Sequence, residues 1–307
     1  VAIIGASNDP LKIAGRPLHY LESDGFDGEI WPINPRYTKI GKHSCYACVG
    51  DLPGPPDVAI LLVGPAHAEE YLRDLAKHGT TAAIALGGGY GETGPDGKAR
   101  QDRLCHASGA MRLLGPNTIG IVNLRDSVTL SASGALDAQD RQTGSIAVVS
   151  QSGGILGSLM SRAAYRGIGL NQLIATGNEA DLEVCDFIEY LIDDPGTAVI
   201  ALYLETLRDP NRFRTVAMRA HKKKKPLVIY KVGRSEPGAR SAASHTGAMA
   251  GEDRAYHGLF QQVGAIRVNT FDDLLNVQQF PNIKFSKLKC ETKEEASKSW
   301  IYNQKIF

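Results

Sequence analysis

The 307-residue sequence contains no apolar run of the length that a membrane-spanning helix needs. Its first residues read as a strand, not as a charged segment followed by an apolar signal core, so a secretory leader is not expected at this end and the cytoplasm is the expected location. Cysteine is scarce. The five cysteines are odd in number and scattered, which excludes a disulfide framework and points to reduced thiols. Charge of one sign is also lacking: 34 basic and 33 acidic side chains leave a formal net charge of +1, without the electrostatic footprint of a nucleic-acid binder. The basic run Lys222 to Lys225 reads as the solvated end of a helix.

Several signatures stop short. Cys45 and Cys48 form a C-x-x-C, but no second pair and no spaced histidines follow, so neither a zinc site nor a thioredoxin-like redox site is expected. The stretch ALGGGYGETG at 85 to 94 is glycine-rich after a strand but lacks the G-K-S/T of a nucleoside triphosphate P-loop; it remains a candidate lining of a ligand crevice.

What the sequence does contain is alternation. Short β-branched runs at 1–5, 29–33, 57–63, 80–86 and 111–115 are separated by longer stretches such as AHAEEYLRDLAKHG, the pattern of parallel strands and crossover helices. Around LDAQDRQTG, residues 136 to 144, the chain turns polar, and the pattern restarts with strands at 145–150, 172–176, 198–204, 226–232 and 264–268. The expectation is an α/β protein of two doubly wound domains, at 1–140 and 141–276. The remaining 277–307 has no clear period and many charges and is assigned no function. Val1 opens the chain inside a strand, so residues upstream of it are expected.

The first glycine loop, GASNDPLKIAG at 5 to 15, lies between a strand and a helix, where backbone amides can meet a phosphate. A nicotinamide dinucleotide site would want G-x-G-x-x-G and an acidic residue after the second strand. Ser7 stands in place of the second glycine, and the second strand runs into Asn34, Pro35 and Arg36. Arg36 suits a phosphate on a ribose, as in NADP or in the 3′-phosphorylated ADP of coenzyme A.

In the second half, SIAVVSQSGGILGSLMSRAAYRG gives a strand, a turn at Ser152, Gly153 and Gly154, and a helix whose dipole favours an anion. Glu205 ends the strand AVIALYL, and PLVIYKV leads into SAASHTGAMAG, where His245 stands among small residues that cannot shield it. If these strands are parallel neighbours, a carboxylate, an imidazole and an anion site share one sheet edge. A carboxylate on one imidazole nitrogen fixes the tautomer and leaves the other nitrogen free to attack phosphorus, while helix-end amides stabilise the transferred oxygens.

SHTGAMAG, together with RLLGPNTIGIVN at 112 to 123, SQSGG at 150 to 154, TGNEADL at 176 to 182 and the strand ending in Glu205, resembles the α-type portion of NDP-forming acyl-CoA synthetases, over residues 1 to about 276. Succinyl-CoA synthetase α subunits are more distant relatives. The resemblance implies a Rossmann-like domain that binds coenzyme A, followed by a flavodoxin-like domain with a transiently phosphorylated histidine. The matching histidine is His245, the glutamate that hydrogen-bonds it is Glu205, and the phosphate-binding helix start is Ser152, Gly153 and Gly154. For coenzyme A the matching residues lie in the loop from Gly5 to Gly15, with Ala6, Ser7 and Lys12, and at Asn34, Arg36, Val63 and Pro65. The implied reaction converts acid, coenzyme A and ATP reversibly into acyl-CoA, ADP and phosphate. ATP or ADP and magnesium belong on an ATP-grasp module, supplied by a β subunit or by further C-terminal domains, whose strands and magnesium carboxylates are not visible in this sequence. The chain is therefore expected to be incomplete alone, to act on a small carboxylic acid, and to work within an oligomer. Two other readings stay open: a coenzyme A binding module that does not turn over, and an NADP-linked oxidoreductase built on the first domain.

Overall fold

A computed structural model describes residues 1–137, 141–233 and 253–276. The chain is mixed α/β and is organised around two sheets. The first holds β1 (Ala2–Ile4), β2 (Trp31–Ile33), a small hairpin of β3 (Lys39–Ile40) and β4 (His43–Ser44) set beside it, β5 (Val58–Leu61), β6 (Ala82–Ala85) and β7 (Arg112–Leu114). Its five main strands are parallel, in the order β2-β1-β5-β6-β7. The chain passes from β1 to one side and then returns to the other, so a switch point lies between β1 and β5. Helix α1 (Arg16–Ser23) covers one face; α2 (Pro65–His78) and α3 (Pro95–Ser108) cover the other.

The second sheet adds β8 (Gly120–Asn123), β9 (Val128–Ser131), β10 (Thr143–Ser150), β11 (Leu170–Ala175), β12 (Val199–Leu204), β13 (Leu227–Lys231) and β14 (Ile266–Arg267), in the order β14-β13-β12-β10-β11-β8-β9. The strands from β14 to β11 are parallel, whereas β8 and β9 run antiparallel at the edge. On one face, α5 (Val184–Asp193), α6 (Pro210–Lys222) and α7 (Asp253–Gln262) pack over Val149, Leu202 and Ile229; on the other, α4 (Gly153–Tyr165) packs over Val148, Ala201 and Val228. Both faces are buried, which is why these strands are nearly continuous apolar runs.

One expectation meets a correction here. Residues 120 to 131 fall before the polar stretch and were assigned to the first domain, yet their backbone hydrogen bonds go to the second sheet, with Ile121, Val122 and Asn123 opposite Ile174, Leu173 and Gln172. The physical reason is that this hairpin is apolar on both sides. Leu130 packs in one cluster with Ile3, Ile60 and Leu114 of the first sheet and Leu18 of α1, while Val122 joins the core beneath α4. A strand that feeds two cores carries no pattern that assigns it to one.

Polar contacts lock the two units together. The Arg141 guanidinium donates to both Asp24 oxygens at 3.1 and 2.7 Å, and the Thr129 hydroxyl donates to the same carboxylate at 2.5 Å. Arg112 donates in bidentate fashion to Asp181, which also accepts from the Leu113 amide. The lysine run behaves differently at its two ends: Lys222, Lys223 and Lys224 are exposed, but Lys225 turns inward and its ammonium donates to the Leu191 and Asp194 carbonyls that end α5. Among the described residues, no helix is long and apolar enough to cross a membrane.

Candidate functional site

The first glycine loop folds back on itself at the carboxyl end of β1. The Ser7 amide donates to the Ala14 carbonyl at 3.0 Å, Lys12 to Asp9 at 3.1 Å and Gly15 to Lys12 at 2.9 Å, which leaves the loop as a compact cup. Gly5 has a φ of +79°, and a Cβ there would stand 2.9 Å from Val63 Cγ1, so the ends of β1 and β5 approach more closely than any other residue allows. Asn34 ties the second strand end to the cup: its amide nitrogen donates to the Ala6 carbonyl at 2.8 Å and its amide oxygen accepts from the Arg36 amide at 3.0 Å. Arg36 and Lys12 are exposed beside it, and Pro65 opens α2 after Val63 with no side-chain cap on the helix. All nine sequence-predicted coenzyme A residues therefore gather at one switch point, where open α/β sheets bind ligands. The exposed Arg36 and Lys12, the latter 3.7 Å from the Asp9 carboxylate, are cations of the kind that suits a pyrophosphate bearing an additional ribose phosphate.

The second set gathers at the other switch point. Strands β10, β12 and β13 are adjacent and parallel, so Ser152, Glu205 and the segment that follows Lys231 leave the sheet at the same edge. Ser152 caps α4, its hydroxyl accepting from the Ile155 amide at 3.5 Å, and the first-turn amides of Gly153 and Gly154 have no acceptor within the helix. A Cβ at Gly153 would meet Ile119 Cγ2 at 2.8 Å. His245 itself lies outside the described residues.

Beside the second set lies a cavity of about 910 Å³; none of the nine coenzyme A candidates lines it, nor does Glu205. Ile13 and Arg16 enter it from the first loop and α1, and Ser152, Gly153 and Gly154 from α4; Leu86, after β6, contributes from the glycine-rich stretch. Arg16 donates to the Ala132 carbonyl at 3.2 Å. Arg162, the other cation on the wall, is held by Asp272. The cavity thus presents Arg16, which has no carboxylate partner among the described residues, and one helix N-terminus, a combination that favours an anion.

Sequence reasoning missed four polar groups near this edge. Gln151 reaches across to β12: its amide oxygen accepts from the Glu205 and Thr206 amides at 2.6 and 3.0 Å, and its amide nitrogen donates to the Thr206 carbonyl at 3.0 Å. Glu179 is 3% exposed and accepts from the Thr176 hydroxyl at 2.8 Å and the Val184 amide at 3.2 Å. Burial pushes its carboxyl up to about 7, against the hydrogen bonds from Thr176 and Gln151, with the neighbouring charge of Glu183 adding to the rise. Lys231, also 3% exposed, lies 4.5 Å from the centre of the Tyr256 ring, and burial pushes its ammonium down to about 8 despite the opposing pull of Asp253 and Glu205. Asn178 donates to Glu92 at 2.5 Å and to Gln101 at 3.0 Å, pinning the glycine-rich stretch to the second unit. The signal for three of them was that SQSGG, which holds Gln151, and TGNEADL, which holds Asn178 and Glu179, are among the motifs behind the family resemblance.

The four cysteines among the described residues are free thiols, with Cys45 donating to the Asn34 carbonyl at 3.6 Å and Cys48 to Asp51 at 3.3 Å. Among the described residues, no cluster of His, Cys, Asp and Glu is arranged to hold a metal ion.

Comparison with known proteins gives the same two-part division. Residues 1–123 match the CoA binding domain family, and residues 143–280 match the succinyl-CoA ligase like flavodoxin domain family. The chain is 36% identical over 281 residues to the acetate–CoA ligase (ADP-forming) II subunit alpha of Pyrococcus furiosus, covering 90% of this chain and 60% of that one. It is 35% identical over 277 residues to the acetate–CoA ligase (ADP-forming) of Methanocaldococcus jannaschii, again over 90% of this chain but 38% of the relative. Among solved structures, the dinucleotide-forming acetyl-coenzyme A synthetase 1 of Ca. Korarchaeum cryptofilum, in complex with phosphate and ADP, superposes with a TM-score of 0.84 at 33% identity, over 90% of this chain and 59% of that one. The chain therefore spans 38 to 60% of the length of these relatives. With both domain families matched in this order, the chain belongs to the NDP-forming acyl-CoA synthetases and represents their α-type portion.

Proposed function

We propose that this chain is the coenzyme A and phosphohistidine portion of an ADP-forming acid–CoA ligase. The observation that carries the reading is the cavity of about 910 Å³ into which Ile13 of the first glycine loop and the start of α4 both reach, so a ligand held at that loop can extend to the anion site. In this reading Gly5, Ala6, Ser7, Lys12, Gly15, Asn34, Arg36, Val63 and Pro65 hold coenzyme A with its thiol toward the cavity. Ser152, Gly153 and Gly154 hold the phosphate. Attack of phosphate oxygen on the thioester carbonyl breaks the carbon–sulfur bond and leaves acyl phosphate and coenzyme A thiol. His245 then attacks phosphorus, the bond to the acyl oxygen breaks, and the carboxylic acid departs. Glu205, at the end of β12, accepts the imidazole N–H and stabilises the cation that forms. The α4 amides bear the negative charge of the transferred group.

The phosphoryl group passes onward to ADP on an ATP-grasp module, which carries the magnesium as well; the naming of the Pyrococcus relative as a subunit supports a separate or fused partner, and assembly into an oligomer. A cytoplasmic location is in keeping with the absence of a spanning helix among the described residues. Calorimetric titration tests the first half of the reading. Saturable binding of coenzyme A, weakened for dephospho-coenzyme A, is the expected result, and binding of NADP alone would overturn it. The second half is tested with the ATP-grasp module present: His245→Asn is expected to abolish acyl-CoA formation and leave coenzyme A binding intact. Equal turnover in the variant would leave a coenzyme A module without the histidine relay.

A further inference from the structure

The parallel ladder between β10 and β12 ends at the pair Ser150 and Tyr203. Beyond it the Gln151 amide donates to the Tyr203 carbonyl at 3.2 Å, and the Gln151 side chain takes the place of the next peptide group. Its oxygen accepts from two successive amides, Glu205 and Thr206, while its nitrogen donates to the Thr206 carbonyl. Its other neighbour is the buried Glu179, whose charged form the carboxamide favours against burial. Glu179 is held from every side: Thr176 Oγ1 and the Val184 amide donate to its carboxyl, and the Arg208 guanidinium donates to its backbone carbonyl. Its φ of +54° is unusual for a residue with a side chain, and such conformations persist only where the surroundings over-determine them. The carboxyl thus caps the first turn of α5 from the interior.

We propose that Gln151 is a positioning residue for the phosphoryl-transfer edge: its carboxamide fixes the Glu205–Thr206 backbone relative to the Ser152–Gly154 turn. The proposal rests on the ligase reading for its functional half. Because Gln151 directly precedes the cap of α4, the same side chain that holds Glu205 is anchored to the anion site, so the distance between the carboxylate and the phosphate pocket is set by one residue. Gln151 is not required to touch the reacting atoms.

The test uses Gln151→Met, which keeps length and removes the hydrogen bonds. In the 307-residue chain, hydrogen exchange at the Glu205 and Thr206 amides is expected to accelerate roughly tenfold in this variant, the loss of one to two hydrogen bonds. The Val148 amide, inside the ladder, serves as the control for intact folding. With the ATP-grasp module present, kcat is expected to fall about tenfold while KM for coenzyme A stays within about twofold. Unchanged exchange at Glu205 and Thr206 in Gln151→Met would overturn the assignment, as would an unchanged kcat. If the wild-type protein makes no acyl-CoA, the ligase reading fails, and the exchange measurement alone still decides whether the carboxamide holds the strand end.

Discussion

Gly15→Ala is the substitution that most directly probes the first glycine loop. Gly15 has a φ of −97°, which any residue adopts, so backbone strain plays no part. The obstacle is space: a Cβ would stand 2.0 Å from the Asp9 carbonyl oxygen, 2.6 Å from its carbon and 3.1 Å from Pro10 Cα. Relief requires the Asp9–Pro10 backbone to move by more than an ångström, and that backbone is held by the Lys12 amide on the Asp9 carbonyl, the Ser7 hydroxyl on the Asp9 amide and the Asp9 carboxylate on the Leu11 amide. Losing two such bonds costs about 2 kcal/mol, and the residual crowding adds about 1 to 2 kcal/mol. A total of about 3 to 4 kcal/mol corresponds to a fall in Tm of roughly 6 to 15 °C. Coenzyme A affinity, read by calorimetry, is expected to drop at least about tenfold as the cup amides are displaced. Gly64→Ala is the matched control, because a Cβ there meets nothing within 4 Å; its effect is expected to stay under about 1 kcal/mol. A Gly15→Ala protein that melts with the wild type and binds coenzyme A with unchanged affinity would refute the packed loop.

Two neighbouring glycines at the start of α4 are expected to respond in opposite directions to alanine. Gly153→Ala forces Ile119 or the helix start aside and lowers Tm, whereas Gly154→Ala meets nothing and gains up to about 1 kcal/mol of helix propensity; thermal melts of the two variants check the contrast. At the junction between the units, burial works against ionisation of Asp24, but Arg141 and Thr129 hold its carboxyl below the ordinary value. A depressed carboxyl contributes stability above its unfolded pKa and loses it as the pH falls through the folded one. Asp24→Asn is therefore expected to cost about 1 to 3 kcal/mol at pH 7 and to flatten the acid limb of a Tm profile below about pH 4; a mutant profile parallel to the wild type at all pH values would remove Asp24 from the junction.

The parts of the fold that the sequence displays are those where one local pattern has one physical cause. Runs such as SIAVVS and AVIALYL sit in the middle of a sheet covered on both faces, so their apolar continuity is both the signal and the structure. The Ser152–Gly154 turn is equally local, since a small residue after a strand and before a helix is what an exposed helix start requires. The β8–β9 hairpin is not local: TIGIVN and VTLS look alike whichever sheet takes up their hydrogen bonds, and only the packing of Leu130 and Val122 into separate cores assigns them.

The groups that escaped the sequence share a further property, which is that each is a polar side chain whose partners come from distant strands or loops. Gln151 reads as solvated beside a turn, and Glu179 reads as one more acid in a polar loop, until the register of β10 with β12 brings the Thr206 backbone to the first and the interior to the second. Lys231 is the same case on the next strand, a cation that a strand-end position would leave in water and that the ring of Tyr256 covers instead. Buried polar groups are stable only when nearly every donor and acceptor is matched, so their positions tolerate little displacement. In the proposed ligase reading, phosphoryl transfer gains from that intolerance, because Glu205 stays in register with the α4 amides where the buried carboxamide holds its backbone.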